Sequence, residues 1–243
     1  KIIEDACHGL GGKYHESKIG SCKYSDISTF SFHPVKSITT GEGGMITTNN
    51  KDLYEKLKIY RSHGIIKSKK LFKNKKVAFE KSKVVNRWYY EVQNIGYNYR
   101  MTDIQAALGI SQLKRLKKFI KKRNKLADFY IKNFKKNKNI KLIKKKIGIY
   151  HSYHLFTLLI NFKKIKKSRN KLMSELYKSN IGTQVLYIPI FLQPYYKKKY
   201  KFKIKDFPVA NDYYSRALSI PIFFDLKLSE QKYIVDKINF LTS

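Results

Sequence analysis

Apolar residues recur along the chain with two periods, and the changes of period mark its elements. "KIIED" opens with an apolar, β-branched run that ends in two carboxylates, so residues 1–4 predict a buried strand. "DISTFSFH" (26–33) alternates apolar and polar positions and predicts another strand. "GMITTN", after a glycine-rich turn, predicts a third. "KDLYEKLKIYRSHG" then spaces Leu53, Leu57 and Tyr60 at a helical period, with Gly64 placed to cap the helix. Residues 65–90 lose periodicity and are rich in Lys and Ser, which predicts a long surface excursion, functional or mobile.

Order returns after residue 90. Thr102 and Gln105 have the spacing of a capping box. Ile104, Leu108, Leu113, Leu116 and Ile120 supply an apolar stripe, so one long helix or two in succession end near Lys136. "KKNKNIKLIKKK" reads as a boundary. Beyond it "YHLFTLLIN" predicts a strand, "SRNKLMSELYKSN" a helix and "IGTQVLYIP" a strand. "PVANDYYSRAL" predicts a helix, and "SEQKYIVDKINFL" a closing helix capped by Ser229. Short strands alternating with helices imply an α/β fold with a mainly parallel sheet over residues 1–136, followed by a smaller α+β domain over 137–243. No internal repeat is evident. A domain rarely opens on a core strand with no lead-in, so further sequence is expected ahead of residue 1.

Composition narrows the function classes. At 243 residues and 42% hydrophobic, the chain can bury a real core. No run of about 18 apolar residues occurs, so no membrane span is expected, and no signal peptide is visible. Cys7 and Cys22 fit no zinc spacing and are consistent with a reducing, cytoplasmic setting. The formal charge of +35 suits phosphate binding, yet only seven of the 52 basic residues are Arg. Readers of phosphate and bases lean on Arg forks, so a lysine-rich solvated surface is the plainer account and no nucleic-acid partner is expected.

Two residues stand out chemically. Lys36 lies between an apolar strand and the turn "TTGEGG", with Pro34 stiffening its approach and Phe30 and Phe32 beside it. An amine that is partly desolvated there suits covalent catalysis; the competing account is one more surface lysine. Asp5 ends a strand, where α/β sheets bind ligands, and a carboxylate at that place pairs with a cationic ring nitrogen; the competing account is a loop cap. The pair His151 and His154 raises a metal site, but on a strand such spacing faces opposite sides. Glu42 is an acid in the turn, read as turn-stabilising. Tyr195 and Tyr196 either line a pocket or pack.

Taken in order, strand–Asp5, about thirty residues, then strand–Ser31-x-x-x-x-Lys36 is the layout of a pyridoxal 5'-phosphate enzyme. The stretches "EDACHGLGG", "FSFHPVKSITTGEGGMITTN", "RSHGI" and "GYNYRMTDIQAALGISQL" resemble the DegT/StrS-type sugar aminotransferases. "WYYEVQNIGYNYRMTDIQ", "YIPIFLQPYY" and "DFPVANDYYSRALSIPIF" look most like the branch that serves pseudaminic acid biosynthesis.

The resemblance implies a fold-type I transferase. It implies pyridoxal 5'-phosphate as cofactor, glutamate as amino donor and a UDP-linked 4-keto deoxy sugar as acceptor. Lys36 would carry the cofactor covalently and Asp5 would hold the pyridine nitrogen. His8 would lie beside the ring and Ser31 would bind the phosphate. Asn98 would reach the cofactor phosphate of a second subunit, which implies a homodimer with a shared site. The family's opening segment, which supplies a phosphate cradle and a ring-stacking aromatic, is not in this sequence. Leu186 and Phe191 stand where that branch carries histidines. Two other accounts follow from these features: a truncated, inactive remnant of such an enzyme, or a basic nucleic-acid-binding protein. Relatives that dehydrate sugars carry His in place of the lysine, and Lys36 argues against that chemistry.

Overall fold

A computed structural model describes all 243 residues. They form two compact units. The first is Lys1–Cys7 with Ser17–Lys114; the second is His8–Glu16 with Arg115–Ser243. The division falls inside the long helix rather than after it.

In the first unit β1 (Ile3–Asp5) pairs in parallel with β2 (Ile27–Ser31), and β3 (Gly44–Thr47) pairs antiparallel on the other side of β2. The parallel character therefore rests on one strand pair. Side chains alternate across a strand. Ser28, Phe30 and Phe32 are buried on one face, while Thr29 and Ser31 lie half-buried on the other. Glu4, registered with Ser28, accepts its hydroxyl at 2.6 Å. Strand β1 is not the buried strand expected of "KIIED": Ile2 is 60% and Ile3 67% exposed. Its apolar, β-branched residues favour a strand, but it is an edge of its sheet.

Helix α1 (Lys51–Arg61) starts at Asn50, whose side chain accepts Leu53 N–H at 2.9 Å. Gly64, at φ +71°, returns its N–H to Ile59 O at 2.9 Å and closes the helix as expected. The excursion that follows is ordered. Strand β4 (Ile65–Ile66), helix α2 (Lys75–Ala78) and strand β5 (Glu91–Val92) surround a small core of Ile66, Phe72 and Ala78. Phe72 meets Tyr89 edge-on at 4.9 Å. Glu91 is buried, and its carboxylate accepts Lys73 N–H, Asn74 N–H, the Tyr89 hydroxyl and the Gln93 amide. Elements of two to four residues complete no apolar period, which is why the sequence pattern shows only a loop here.

Helix α3 (Asp103–Phe134) is a single helix of 32 residues. The expected capping box is present: Gln105 N–H reaches Thr102 Oγ1 at 3.2 Å, and Gln105 Oε1 accepts Thr102 N–H at 3.0 Å. Only the C-terminal part of its apolar stripe is buried, from Phe119 and Ile120 onward. Ile104 is 85% exposed, and Leu108 and Leu113 are exposed too.

The second unit is built on an antiparallel sheet in the order β8–β7–β6, from β6 (Ile140–Leu142), β7 (Phe156–Ile160) and β8 (Ala217–Ile220). Helices α4 (Arg169–Lys178), α5 (Pro194–Tyr200), α6 (Pro208–Arg216) and α7 (Leu228–Thr242) complete it. Leu158, Ile160, Leu172, Leu218 and Ile238 are fully buried with Tyr130 and Phe134 of α3. Arg123, also buried, donates to the carbonyls of Tyr153, His154 and Ile222 at 2.7–3.2 Å. Away from the sheet, Lys13–Tyr14 pairs with Ile149–Tyr150.

Three expectations fail in this unit. Residues 181–189 are not a strand; Gln184 alone bridges to Ser219. Ser229 does not cap α7. The helix begins one residue earlier, and Glu230 accepts Lys227 N–H at 2.7 Å. His151 and His154 lie on a loop, so the strand argument does not apply to them.

Candidate active site

Asp5 ends β1 directly beside Thr29 of β2, and Ser31 lies two residues further along β2. Parallel register and alternation put Asp5, Thr29 and Ser31 on one face, at the carboxyl ends of two adjacent strands. Such an end is where open α/β sheets hold ligands. Asp5 Oδ1 accepts Cys7 N–H at 3.1 Å, and Ala6 N–H returns to Thr29 O at 2.9 Å, so the chain turns sharply after the acid.

The Cys7 side chain stands within the same cluster. Burial pushes its thiol up, and a hydrogen bond to the Asp5 carboxylate and that group's charge push the same way. The Lys36 ammonium and a hydrogen bond from the Thr29 hydroxyl oppose them. Asp5 and Lys36 thus both act on one sulfur.

Lys36 is half-buried in the loop that leaves β2 at this same end. The loop is closed at its base: Phe32 N–H reaches Gly43 O at 2.8 Å, and Phe32 O accepts Thr40 N–H at 3.0 Å and the Thr39 hydroxyl at 3.1 Å. Inside it Lys36 N–H closes a turn on His33 O at 2.9 Å. Ser31 Oγ accepts His33 N–H at 3.4 Å. Gly43 adopts φ +155°, and a Cβ there would strike Thr40 and Met101, so the turn requires glycine. Glu42 contributes through its backbone. Its carbonyl accepts the Thr40 hydroxyl at 2.7 Å and the Gln105 amide at 3.0 Å, while its carboxylate is exposed, 4.0 Å from His33.

The remaining candidates lie on other elements. Asn98 is exposed, bridged to Ser62, and accepts Arg100 Nε–H at 3.3 Å; the Tyr97 and Tyr99 rings beside it stack at 4.8 Å. His8 belongs to the second unit, where its ring meets His154 at 4.3 Å and its carbonyl accepts the Ser152 hydroxyl at 2.7 Å. His151 Nδ1 accepts Tyr153 N–H at 2.8 Å, and no group of three or more potential metal ligands gathers anywhere. Phe191 is buried and stacks on Phe207 at 4.7 Å, so that position supports packing; Leu186 is half-buried. Tyr195 and Tyr196 are exposed and meet edge-on at 5.2 Å. Sequence reasoning missed Cys7 and Thr29 as neighbours of Asp5. The spacing of Cys7 from Asp5 was a usable signal, whereas Thr29 emerges only from strand register.

Known proteins resemble this chain over most of its length. The model of the DegT/DnrJ/EryC1/StrS aminotransferase family matches residues 1–239. A UDP-4-amino-4,6-dideoxy-N-acetyl-beta-L-altrosamine transaminase of Campylobacter jejuni is 38% identical over 97% of this chain and 57% of its own length. A spore coat polysaccharide biosynthesis protein of Bacillus subtilis is 36% identical over 91% of this chain and 54% of its own. Among solved structures, Helicobacter pylori PseC, an aminotransferase of pseudaminic acid biosynthesis, superposes with a TM-score of 0.85 at 31% identity, over 99% of this chain and 59% of that one. The chain spans little more than half the length of these relatives. It belongs to the DegT/DnrJ/EryC1/StrS aminotransferase family.

Proposed function

We propose that this chain is part of a pyridoxal 5'-phosphate-dependent aminotransferase. It would move the amino group of glutamate onto a UDP-linked 4-keto deoxy sugar, leaving 2-oxoglutarate and a 4-amino sugar nucleotide, for surface-glycan synthesis of the pseudaminic acid type. The observation that carries this is the meeting of Asp5, Thr29 and Ser31 on one face at the strand ends, with Lys36 on the loop leaving the same end. A carboxylate, a hydroxyl and an amine in that order are the donor set a phosphorylated pyridine aldehyde needs. The family match, the altrosamine transaminase relatives and the PLP-form of a Streptococcus pneumoniae sugar aminotransferase, TM-score 0.82 at 27% identity, support the cofactor and the substrate class.

When bound, the cofactor supplies an aldehyde that takes up amines and a ring that accepts the electron pair left on the donor's alpha carbon. Lys36 Nζ would hold it, and the same amine would serve as the base that moves the proton of the donor's alpha carbon. Asp5 would keep a proton on the ring nitrogen, and its hydrogen bond from Cys7 N–H orients the carboxylate for that purpose. Ser31 would donate its hydroxyl to the phosphate. Asn98, exposed beside the Tyr97–Tyr99 stack, would contact the phosphate bound by a second copy in a homodimer. We assign residues 1–136 to the cofactor-binding domain and 137–243 to the small domain, and place the reaction in the cytoplasm. No helix is long and apolar enough to cross a membrane.

The test is amino transfer from glutamate to the keto sugar nucleotide, followed by product mass, in the wild type and in Lys36→Ala. Loss of transfer by at least a thousandfold is expected. Transfer undiminished in Lys36→Ala removes the lysine from its role.

A further inference from the structure

Helix α3 begins against the base of the Lys36 loop, and two of its residues fit that base by size and by hydrogen bonding. Gln105 uses both ends of its amide. Its oxygen accepts Thr102 N–H at 3.0 Å and the Thr102 hydroxyl at 3.1 Å, which caps the helix. Its nitrogen donates to Glu42 O at 3.0 Å, across 63 residues of sequence. That carbonyl also accepts the Thr40 hydroxyl at 2.7 Å, so it joins the helix cap to the residue that closes the loop.

One turn further along α3, Gly109 lies under Thr40. A Cβ at residue 109 would come within 2.8 Å of Thr40 Cγ2, closer than two carbons approach. Thr40 has no easy way to yield. It is buried, its side chain is stiff at χ1, and turning the methyl away would break the hydroxyl's bond to Glu42 O. Its N–H holds Phe32 O, so a push on Thr40 moves the neck of the loop that carries Lys36.

We propose that Gln105 and Gly109 are positioning residues for Lys36: the first two turns of α3 set the height and angle at which the loop presents its amine. The proposal rests on the assignment of Lys36 made above. It also gives the stretch "TDIQAALG" a physical role. The glutamine is needed for a donor, and the glycine for absent volume.

Gln105→Glu separates positioning from helix stability. Glutamate serves a capping box as well as glutamine does, so the cap on Thr102 survives, but the donor to Glu42 O becomes an acceptor that repels it. The measurement is the rate at which pyridoxal 5'-phosphate with borohydride leaves a stable pyridoxyl group on Lys36, read by peptide mass in the full chain. Helix content by circular dichroism is recorded alongside.

Gln105→Glu is expected to label Lys36 at least fivefold more slowly than wild type with helix content unchanged. Gly109→Ala is expected to slow labelling at least tenfold. Adding Thr40→Ser, which deletes the clashing methyl and keeps the hydroxyl, should bring the rate back to within about threefold of wild type. Wild-type labelling rates in both Gln105→Glu and Gly109→Ala would overturn the proposal. So would a folded Gly109→Ala that Thr40→Ser fails to rescue. A wild-type chain that takes no label on Lys36 would instead overturn the functional assignment.

Discussion

Cys7 stands two residues beyond Asp5, and its thiol is acted on by both the acid and Lys36. A pyridine ring held between those two groups must lie close to this sulfur. Bound pyridoxal 5'-phosphate is therefore expected to slow alkylation of Cys7 by iodoacetamide at least fivefold. Cys22, half-buried with its sulfur 3.2 Å from Thr47 O, serves as the internal reference and should not change. Peptide mass mapping with and without cofactor reads both sites. Equal protection of both cysteines would indicate a general tightening, and no protection of Cys7 would place the cofactor elsewhere. At this scale the sequence was legible where chemistry is local. Lys36, Asp5 and Ser31 stand out by their order. Thr29 does not, because only the pairing of β1 with β2 brings it to Asp5.

Among the elements, the segment from Ile65 to Val92 shows how a single buried acid can organise a short-range fold. Burial works to raise the Glu91 carboxyl. The N–H groups of Lys73 and Asn74, then the Gln93 amide and Tyr89 hydroxyl, outweigh it and bring it down from about 4.5 to about 2. A depressed carboxyl stabilises the fold fully above its ordinary value and loses that contribution as pH falls through its folded value. Protection of the Lys73 and Asn74 amides against hydrogen exchange should therefore be constant above pH about 4.5 and fall as pH approaches about 2. Glu91→Gln should lower that protection at neutral pH and abolish its acid dependence. Protection that ignores both acid and the substitution would contradict this role for the carboxylate. The sequence showed no element here, because two-residue strands complete no period. It did show α3 and its cap, since 32 residues repeat the helical period many times. It misjudged which part of that stripe is buried. Periodicity reports that a helix has an apolar face, while burial depends on what lies against it.

For the molecule as a whole, charge says less than its size suggests. The excess of +35 is carried by lysine, and two of the seven arginines are committed internally. Arg123 serves three carbonyls, and Arg169 donates to Tyr214 O and to Ala217 O. Both guanidinium groups are thus occupied by backbone carbonyls. The α/β character was legible from alternating periods. The exposure of β1 was not, because a strand's residues state its preference for burial and not its neighbours.

The most direct test of the account is reductive trapping of the cofactor on the chain. After incubation with pyridoxal 5'-phosphate and borohydride, the account predicts a single dominant pyridoxyl group on Lys36. Lys36→Ala should lose it, while Asp5→Asn should keep it yet depress amino transfer about a hundredfold or more. Label scattered over the many surface lysines, with Lys36 no more reactive than the rest, would contradict it.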